Sequence, residues 1–294
     1  MKPAAKLRQM IKERKTVWTA GAYDALSARF ITEAGFDAIL STGYGISASH
    51  LGQPDAELYT MTENLQVVRQ MVSVTETPII ADTDTGYGNA INVMRTVREF
   101  ERAGVAGMIF EDQIAPKRCP ACVETFNVIT IEEAVGKIKA ALDARQDPDV
   151  VIIARTDARP LEAAIERGQA YKEAGADVIQ PISKGVTSLE EMRRFKAEVD
   201  APLSLQILAW LEVQLGKEEL EELAAVCTWP LVPLMTAAQA LRDNLSQLIK
   251  DKSVKNMPLK QFAMADFNKF VGVPEIEELQ MKYLPQTPVD QCSR

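Results

Sequence analysis

Along the chain, short apolar runs alternate with longer stretches in which apolar residues recur every three or four positions. The runs Val17–Ala22, Ala38–Thr42, Pro78–Asp84, Gly107–Asp112, Val150–Asp157, Asp177–Ile182, Pro202–Ile207 and Thr228–Pro233 predict strands, and several turn polar only at their last residues. Such runs suit strands buried on both faces, as in a parallel sheet covered by helices. Between them, Ala90–Ala103, Ile131–Arg145, Leu161–Ala174 and Ser188–Glu198 are amphipathic and predict helices. Ser188 followed by Glu191 has capping-box spacing.

One phrase recurs three times: Glu33-Ala34-Gly35-Phe36-Asp37, Arg102-Ala103-Gly104-Val105-Ala106 and Glu173-Ala174-Gly175-Ala176-Asp177. Each reads as a helix end, a glycine past the last turn, and the start of the next strand. Eight strand–helix units predict an α/β fold, a closed (β/α)8 TIM barrel over residues 1–256. An open doubly wound sheet is the alternative, but no Gly-x-Gly-x-x-Gly follows the first strand. Past Asn256 the pattern changes, and residues 257–294 read as a C-terminal helical extension with a Pro-containing tail.

Composition agrees with one large core. The chain has 294 residues, 47% of them hydrophobic, which suits one barrel of roughly 250 residues plus extensions. Its net charge of −8 and pI of about 5.0 exclude the basic surface that nucleic acids and anionic membranes require. Positive charge for a small anionic substrate must therefore be supplied locally. The start, MKPAAKLRQMIKERK, is charged and helical in pattern rather than an apolar signal. No run of about 18 apolar residues predicts a membrane span. Four cysteines are too few for a disulfide scaffold. These features point to the cytoplasm, with reduced thiols.

In a barrel of this kind the site lies at the C-terminal strand ends. The third strand ends in Ala81-Asp82-Thr83-Asp84-Thr85-Gly86-Tyr87-Gly88, the fourth in Phe110-Glu111-Asp112-Gln113 and the fifth in Ala154-Arg155-Thr156-Asp157. Asp82 and Asp84, two apart on a strand, are expected to face one site. Like charges that close need a cation or a shared proton. Oxygen ligands with a single histidine, His50, in the whole chain favour Mg²⁺ over zinc. Arg155 suits a carboxylate or phosphonate. Thr42-Gly43-Tyr44-Gly45, at the end of the second strand, could cradle a carboxylate through hydroxyl and backbone N–H groups.

After Asp112 a long loop carries Pro116-Lys117-Arg118-Cys119-Pro120-Ala121-Cys122. A cysteine beside Lys and Arg can serve as acid, base or nucleophile. Cys119-Pro120-Ala121-Cys122 is also a Cys-x-x-Cys, but a zinc site lacks its second pair, and a redox pair stands on an unusual scaffold. His50 is expected to pack or hydrogen-bond after the second strand. Trp18, Trp210 and Trp229 are expected to serve as core or rim packing.

These motifs, together with Gly21-Ala22-Tyr23-Asp24-Ala25-Leu26-Ser27-Ala28 and Leu51-Gly52-Gln53-Pro54-Asp55, resemble the isocitrate lyase/phosphoenolpyruvate mutase superfamily, over about Leu7 to Leu248. The closest pattern is that of its 2-methylisocitrate lyase and carboxyvinyl-carboxyphosphonate phosphorylmutase members. The resemblance implies a barrel whose last helix is swapped between subunits, in a homotetramer. It implies Mg²⁺, for which Mn²⁺ could substitute, held by Asp84 and, through water, by Asp55, Asp82 and Glu111. It assigns the oxo-acid carboxylate to Thr42, Gly43 and Tyr44 with Arg155 near. Cys119 becomes the acid that protonates a departing enolate. Arg118 and Gln206 join the substrate set, and Lys117 and Tyr23 the catalytic set, Tyr23 as one candidate base beside a metal-linked water.

The sequence also departs from the pattern of that family's lyases. Pro120-Ala121 replaces Gly-His, Ile182 stands where the lyases carry Glu, Gln206 where they carry Asn, and Leu208-Ala209-Trp210-Leu211-Glu212 replaces a Gly-rich segment. The expected chemistry is retro-Claisen cleavage of a small 2-hydroxy or 2-oxo di- or tricarboxylate. Oxaloacetate decarboxylation or hydrolysis, and phosphonate P–C chemistry, are the alternatives on the same scaffold. A non-catalytic binding protein and a Cys119–Cys122 redox sensor are the readings outside it.

Overall fold

The computed structural model describes residues 1–13, 15–120, 123–125 and 127–285. Eight strands run β1 Val17–Ala22, β2 Ala38–Ser41, β3 Ile79–Asp82, β4 Gly107–Glu111, β5 Val151–Thr156, β6 Val178–Pro181, β7 Ser204–Gln206 and β8 Val226–Trp229. All ladders are parallel, in the order β6-β5-β4-β3-β2-β1-β8-β7. A parallel bridge from Ile179 to Leu203 joins β6 to β7, with Ile179 N donating to Pro202 O at 2.9 Å. The sheet closes into the (β/α)8 barrel that the alternation of runs predicts.

Among the described residues the helices are α1 Pro3–Lys12, α2 Ala25–Glu33, α3 Gly43–Ile46, α4 Met61–Val72, α5 Ala90–Ala103, α6 Ile131–Ala144, α7 Leu161–Glu173, α8 Leu189–Val199, α9 Trp210–Gln214, α10 Lys217–Leu223, α11 Val232–Asp251, α12 Met264–Phe270 and α13 Val273–Tyr283, with a π-turn at Ser47–Leu51. Helix α5 shows why the pattern works. Val93, Thr96, Val97 and Phe100 form one buried stripe, and each fully buried aliphatic or aromatic side chain contributes about 1.5–3 kcal/mol. Asn89 caps its first turn and Gly104, at φ 95°, ends it in the left-handed conformation that glycine adopts at little cost.

The chain divides into two compact units, Met1–Thr236 and Ala237–Arg294. The first contains all eight strands; α11, which follows β8, begins in it and continues into the second. Within the first unit Gly21 is required: a Cβ there would lie 1.9 Å from Pro230 O. In the second unit Phe262, Phe267 and Phe270 cluster with ring centroids 5.7–6.3 Å apart.

Four expectations change in detail. The last strand starts two residues earlier than the apolar run suggests and ends at Trp229, because Pro230 lacks the N–H that a continuing ladder needs. Ser188 caps α8 by accepting from Glu191 N, but Glu191 Oε2 accepts from Thr187 N, one residue before the cap, so the box is shifted. The C-terminal extension becomes helical only at Met264; before it, Leu259 lies in a bend, its N–H and C=O both spent on the Asn244 side chain at 3.1 Å rather than on a helical ladder. His50 does not pack: it lies exposed on the π-turn. The tryptophans do pack, Trp18 stacking on Trp229 at 5.5 Å and Trp210 donating to Val186 O at 2.7 Å.

Candidate active site

The turn after β3 organises the C-terminal face of the barrel. Beyond Asp82 the backbone enters the left-handed region at Asp84 (φ 49°) and Tyr87 (φ 60°), either side of Gly86 (φ 87°). Each non-glycine residue held so costs on the order of 1–3 kcal/mol and needs support from its surroundings. The support is extensive: Glu111 N donates to Asp84 O at 2.9 Å. Asn64 Nδ2 donates to Asp82 O at 2.8 Å and to Tyr87 OH at 2.7 Å, and Lys137 Nζ donates to Thr85 O at 3.1 Å. Asp82 and Asp84 thus share a site through this turn, since β3 ends at Asp82 and strand alternation stops there. Asp82 Oδ1 accepts Asp84's own amide at 3.2 Å, and its Oδ2 accepts Gly43 N at 3.3 Å. Glycine is needed at position 43, where a Cβ would lie 2.6 Å from Tyr59 OH.

Asp55, Asp82, Asp84 and Glu111 are all buried. Lys117 Nζ stands among them, 2.7 Å from Asp84 Oδ1 and 3.0 Å from Asp55 Oδ1. Burial alone would favour a neutral lysine; Asp84, Asp55, Glu111 and Asp82 outweigh it and raise the Lys117 pKa well above the ordinary range. Burial, with repulsion from Asp82 and Asp55, pushes Asp84 up to about 7 despite Lys117. Burial also raises Glu111 well above the usual carboxylate range, against the pull of Arg155 and Lys117. Tyr59, buried beside the same acids, is held as a neutral phenol, its pKa raised first by burial.

Arg155 lies at the end of β5, its Nη1 2.9 Å from Glu111 Oε2. Asp157 accepts from Arg155 Nε and Nη2, and its own amide donates to Asp112 Oδ1 at 2.8 Å. Asp112 is turned away from the site: its Oδ2 accepts from Tyr171 OH at 2.6 Å and Arg167 Nη1 at 3.1 Å on α7. Neighbours on a strand point to opposite faces, so Glu111 faces the barrel interior and Asp112 the helix layer.

A cavity of about 380 Å³ opens above these groups. Thr42, Tyr44, Asp55, Asp82, Lys117 and Arg155 form its polar side, with Cys119, Gln180, Gln206 and Lys184 around it. Pro181, Ile182, Leu208, Ala209, Pro230 and Leu231 form an apolar wall. Asp84 and Glu111 lie beneath, reached through Lys117 and Arg155. Tyr23 and Arg118 are not among the lining residues; Tyr23 is half-buried with its phenol raised first by burial, and Arg118 is exposed. Cys122 lies outside the described residues, and a Cys119–Cys122 pairing with it.

The acids supply only oxygen donors, the kind a hard divalent cation takes. Asp84 Oδ2 and Glu111 Oε1 are buried with no hydrogen-bond partner, a state that asks for a cation. In this arrangement, among the described residues, no three acidic, His or Cys side chains stand at metal-holding spacing. The Lys117 ammonium holds Asp55 and Asp84 instead. The donor set fits Mg²⁺ in kind, and Lys117 would have to yield Asp84 to it.

Some of the machinery carried little signal in the sequence. Asp157 reads only as the last residue of the fifth run, with no partner assigned to it, and Glu57 stands outside any strand end. Gln180, buried and accepting from Ser204 Oγ at 2.8 Å, could have been noticed as a lone polar residue within Val178-Ile179-Gln180. Among the described residues, no helix is long and apolar enough to cross a membrane.

A family model described as phosphoenolpyruvate phosphomutase matches residues 7–249. A 2,3-dimethylmalate lyase of Eubacterium barkeri is 42% identical over 288 residues, covering 96% of this chain and 99% of that protein. A 2-methylisocitrate lyase of Shewanella oneidensis is 37% identical, covering 93% of this chain and 94% of its own. The solved phosphonopyruvate hydrolase in complex with oxalate and Mg²⁺ superposes with a TM-score of 0.88 at 29% identity, over 97% of this chain and 100% of that one.

Proposed function

The chain belongs to the phosphoenolpyruvate mutase/isocitrate lyase superfamily and is a lyase of that superfamily, and from this premise we propose that it cleaves the C2–C3 bond of an alkyl-substituted malate to pyruvate and a short saturated carboxylate. The observation that carries the reading is the apolar wall of Pro181, Ile182, Leu208, Ala209, Pro230 and Leu231 facing the polar side of the cavity. Alkyl groups gain from such a wall, whereas a third carboxylate placed there would lose its hydration without a partner. The likeness to a 2,3-dimethylmalate lyase supports the same class.

In this reading Thr42, Tyr44 and Arg155 bind the C1 carboxylate, and Gln180, Gln206 and Lys184 face the distal one. Asp84, with Asp55, Asp82 and Glu111, would hold Mg²⁺, or Mn²⁺ in its place, which supplies Lewis-acid stabilisation of charge on oxygen. The C2 hydroxyl proton passes to a cavity water, since Tyr23 stands off the cavity wall and its phenol is raised. As C2 becomes a carbonyl, the C2–C3 electron pair moves onto C3 and its carboxylate as an enolate. Cys119, which lines the cavity, gives its thiol proton to C3. The apolar wall keeps water from competing for that enolate. Lys117, held charged by four acids, acts as a fixed cation rather than a base.

The test is pyruvate release by the Mg²⁺-loaded protein from 2,3-dimethylmalate, 2-methylmalate, 2-methylisocitrate, oxaloacetate and phosphonopyruvate. The alkylmalates should give the highest kcat/KM. A preference for 2-methylisocitrate or oxaloacetate would overturn the substrate class, and tight oxalate binding with no turnover would favour a non-catalytic protein. Family membership also leads us to expect a helix-swapped homotetramer, made as a dimer of dimers. The exposed Leu241, Leu245 and Ile249 on α11 support that expectation, and light scattering on the eluted protein tests it.

A further inference from the structure

Three successive backbone N–H groups fix the loop that presents Cys119. Lys117 N donates to Glu57 Oε2 at 2.8 Å, Arg118 N to Gln113 Oε1 at 2.9 Å, and Cys119 N to Asp55 O at 3.3 Å. The first of these bonds leads furthest. Glu57's other oxygen, Oε1, accepts from Thr85 Oγ1 at 2.6 Å, and Thr85 directly follows Asp84. One carboxylate therefore ties the turn that carries Asp84 to the loop that carries Lys117 and Cys119.

The surroundings exclude the blander roles for this side chain. Among the described residues no Lys or Arg stands within ion-pair distance of Glu57; its charge acts on Lys137 only as a lesser contribution, behind that of Glu133. It is absent from the cavity lining, so it does not touch substrate. Its backbone stands in the left-handed region at φ 53°, a conformation that local preference opposes and the surrounding contacts must hold.

We propose that Glu57 is a positioning residue of the lyase reaction: by bridging Thr85 Oγ1 and Lys117 N it aligns the Cys119 loop with the Asp84 turn, so that the thiol stands where the enolate forms. The inference rests on the reading of Cys119 as the proton donor. A loop held against the acid turn presents the thiol in one place; a loop cut from it samples many, and proton transfer needs donor and acceptor within hydrogen-bond reach.

The chemistry of the bridge suggests its own control. A glutamine accepts the Lys117 N–H with its carbonyl oxygen and donates its amide to Thr85 Oγ1, since a hydroxyl can act as donor or acceptor. Glu57→Gln therefore keeps both bonds, and Glu57→Leu keeps neither at similar size. With the full-length Mg²⁺-loaded enzyme, Glu57→Leu should lower kcat at least about tenfold with KM within about threefold. Mg²⁺ affinity by calorimetry should stay within about threefold of the parent, and alkylation of Cys119 by iodoacetamide, read by peptide mass spectrometry, should quicken several-fold. Glu57→Gln should restore all of these to near the parent.

Parent-like kcat and alkylation in Glu57→Leu would overturn the proposal, as would a fall in Mg²⁺ affinity that matches the fall in kcat. If circular dichroism shows Glu57→Leu unfolded, Thr85→Val, which removes one arm at nearly constant volume, takes its place, and parent-like alkylation in it overturns the proposal equally. An inert parent, or full turnover by Cys119→Ser, would defeat the lyase reading or the acid role; the alkylation contrast would still decide the bridge.

Discussion

Arg155 and Asp157, two residues apart at the end of β5, grip each other side-on, Nε to Oδ1 at 2.7 Å and Nη2 to Oδ2 at 2.9 Å, which leaves Nη1 for Glu111. The guanidinium is thereby fixed in one plane before any substrate arrives. Asp157→Asn removes half of the countercharge of a buried cation, and disrupting such a pair costs about 3–5 kcal/mol. The expected result is a lower urea midpoint together with a raised KM. Unchanged stability in urea would show that Glu111 alone suffices to hold Arg155.

Cys119→Ser keeps the size of the side chain and replaces the thiol by a far weaker acid. If Cys119 protonates the enolate, turnover should be abolished, with oxalate affinity by calorimetry within about threefold of the parent. Full retained turnover would remove Cys119 from the mechanism.

Ile182 stands on the apolar wall of the cavity. Ile182→Glu places an unpaired carboxylate against the alkyl groups of the substrate. It should lower kcat/KM for 2,3-dimethylmalate by about a hundredfold, the equivalent of about 2.7 kcal/mol. An unaltered rate on that substrate would mean that the wall does not contact it.

Asp84 ties metal affinity to pH. Its folded-state pKa is pushed up to about 7 from the ordinary 3.8, chiefly by burial. For an acid raised in this way the native state binds more protons than the unfolded chain between those two values, so the group's contribution to stability falls as pH rises from about 4 to 7. A divalent cation reverses the preference, because it requires the carboxylate. Mg²⁺ affinity measured by calorimetry should therefore strengthen by up to about tenfold per pH unit on approaching pH 7 from below, and level off above it. A flat profile from pH 5.5 to 8 would contradict this assignment.

Much of the fold is legible in the linear pattern. The predicted β1 and α5 coincide with the observed elements, and Gly35, Gly104 and Gly175 all take positive φ at helix ends. The strand ends that turn polar are the ones around the site: Asp82, Glu111 and Arg155 stand where the third, fourth and fifth apolar runs stop. These features depend on neighbours a few residues away. Other features were not legible. Asp84 faces the site only because its backbone leaves the strand into a left-handed turn, and Asp112 leaves the site because α7 offers Arg167 and Tyr171. Neither outcome follows from the spacing of acids along the chain.

By itself the sequence determined the order and type of the elements, the parallel barrel they close, and the rim on which its charged residues gather. Burial periodicity, glycine caps and strand alternation are local rules, and local rules can be read along a chain. Only the tertiary structure decided which of those charges meet: Lys117 inside the acid cluster, Asp157 beneath Arg155, and Glu57 across 60 residues to the backbone of Lys117. Those partnerships depend on side-chain directions that are set by loops packed against distant elements, where an error of one residue in a turn sends a carboxylate to the other face of the sheet.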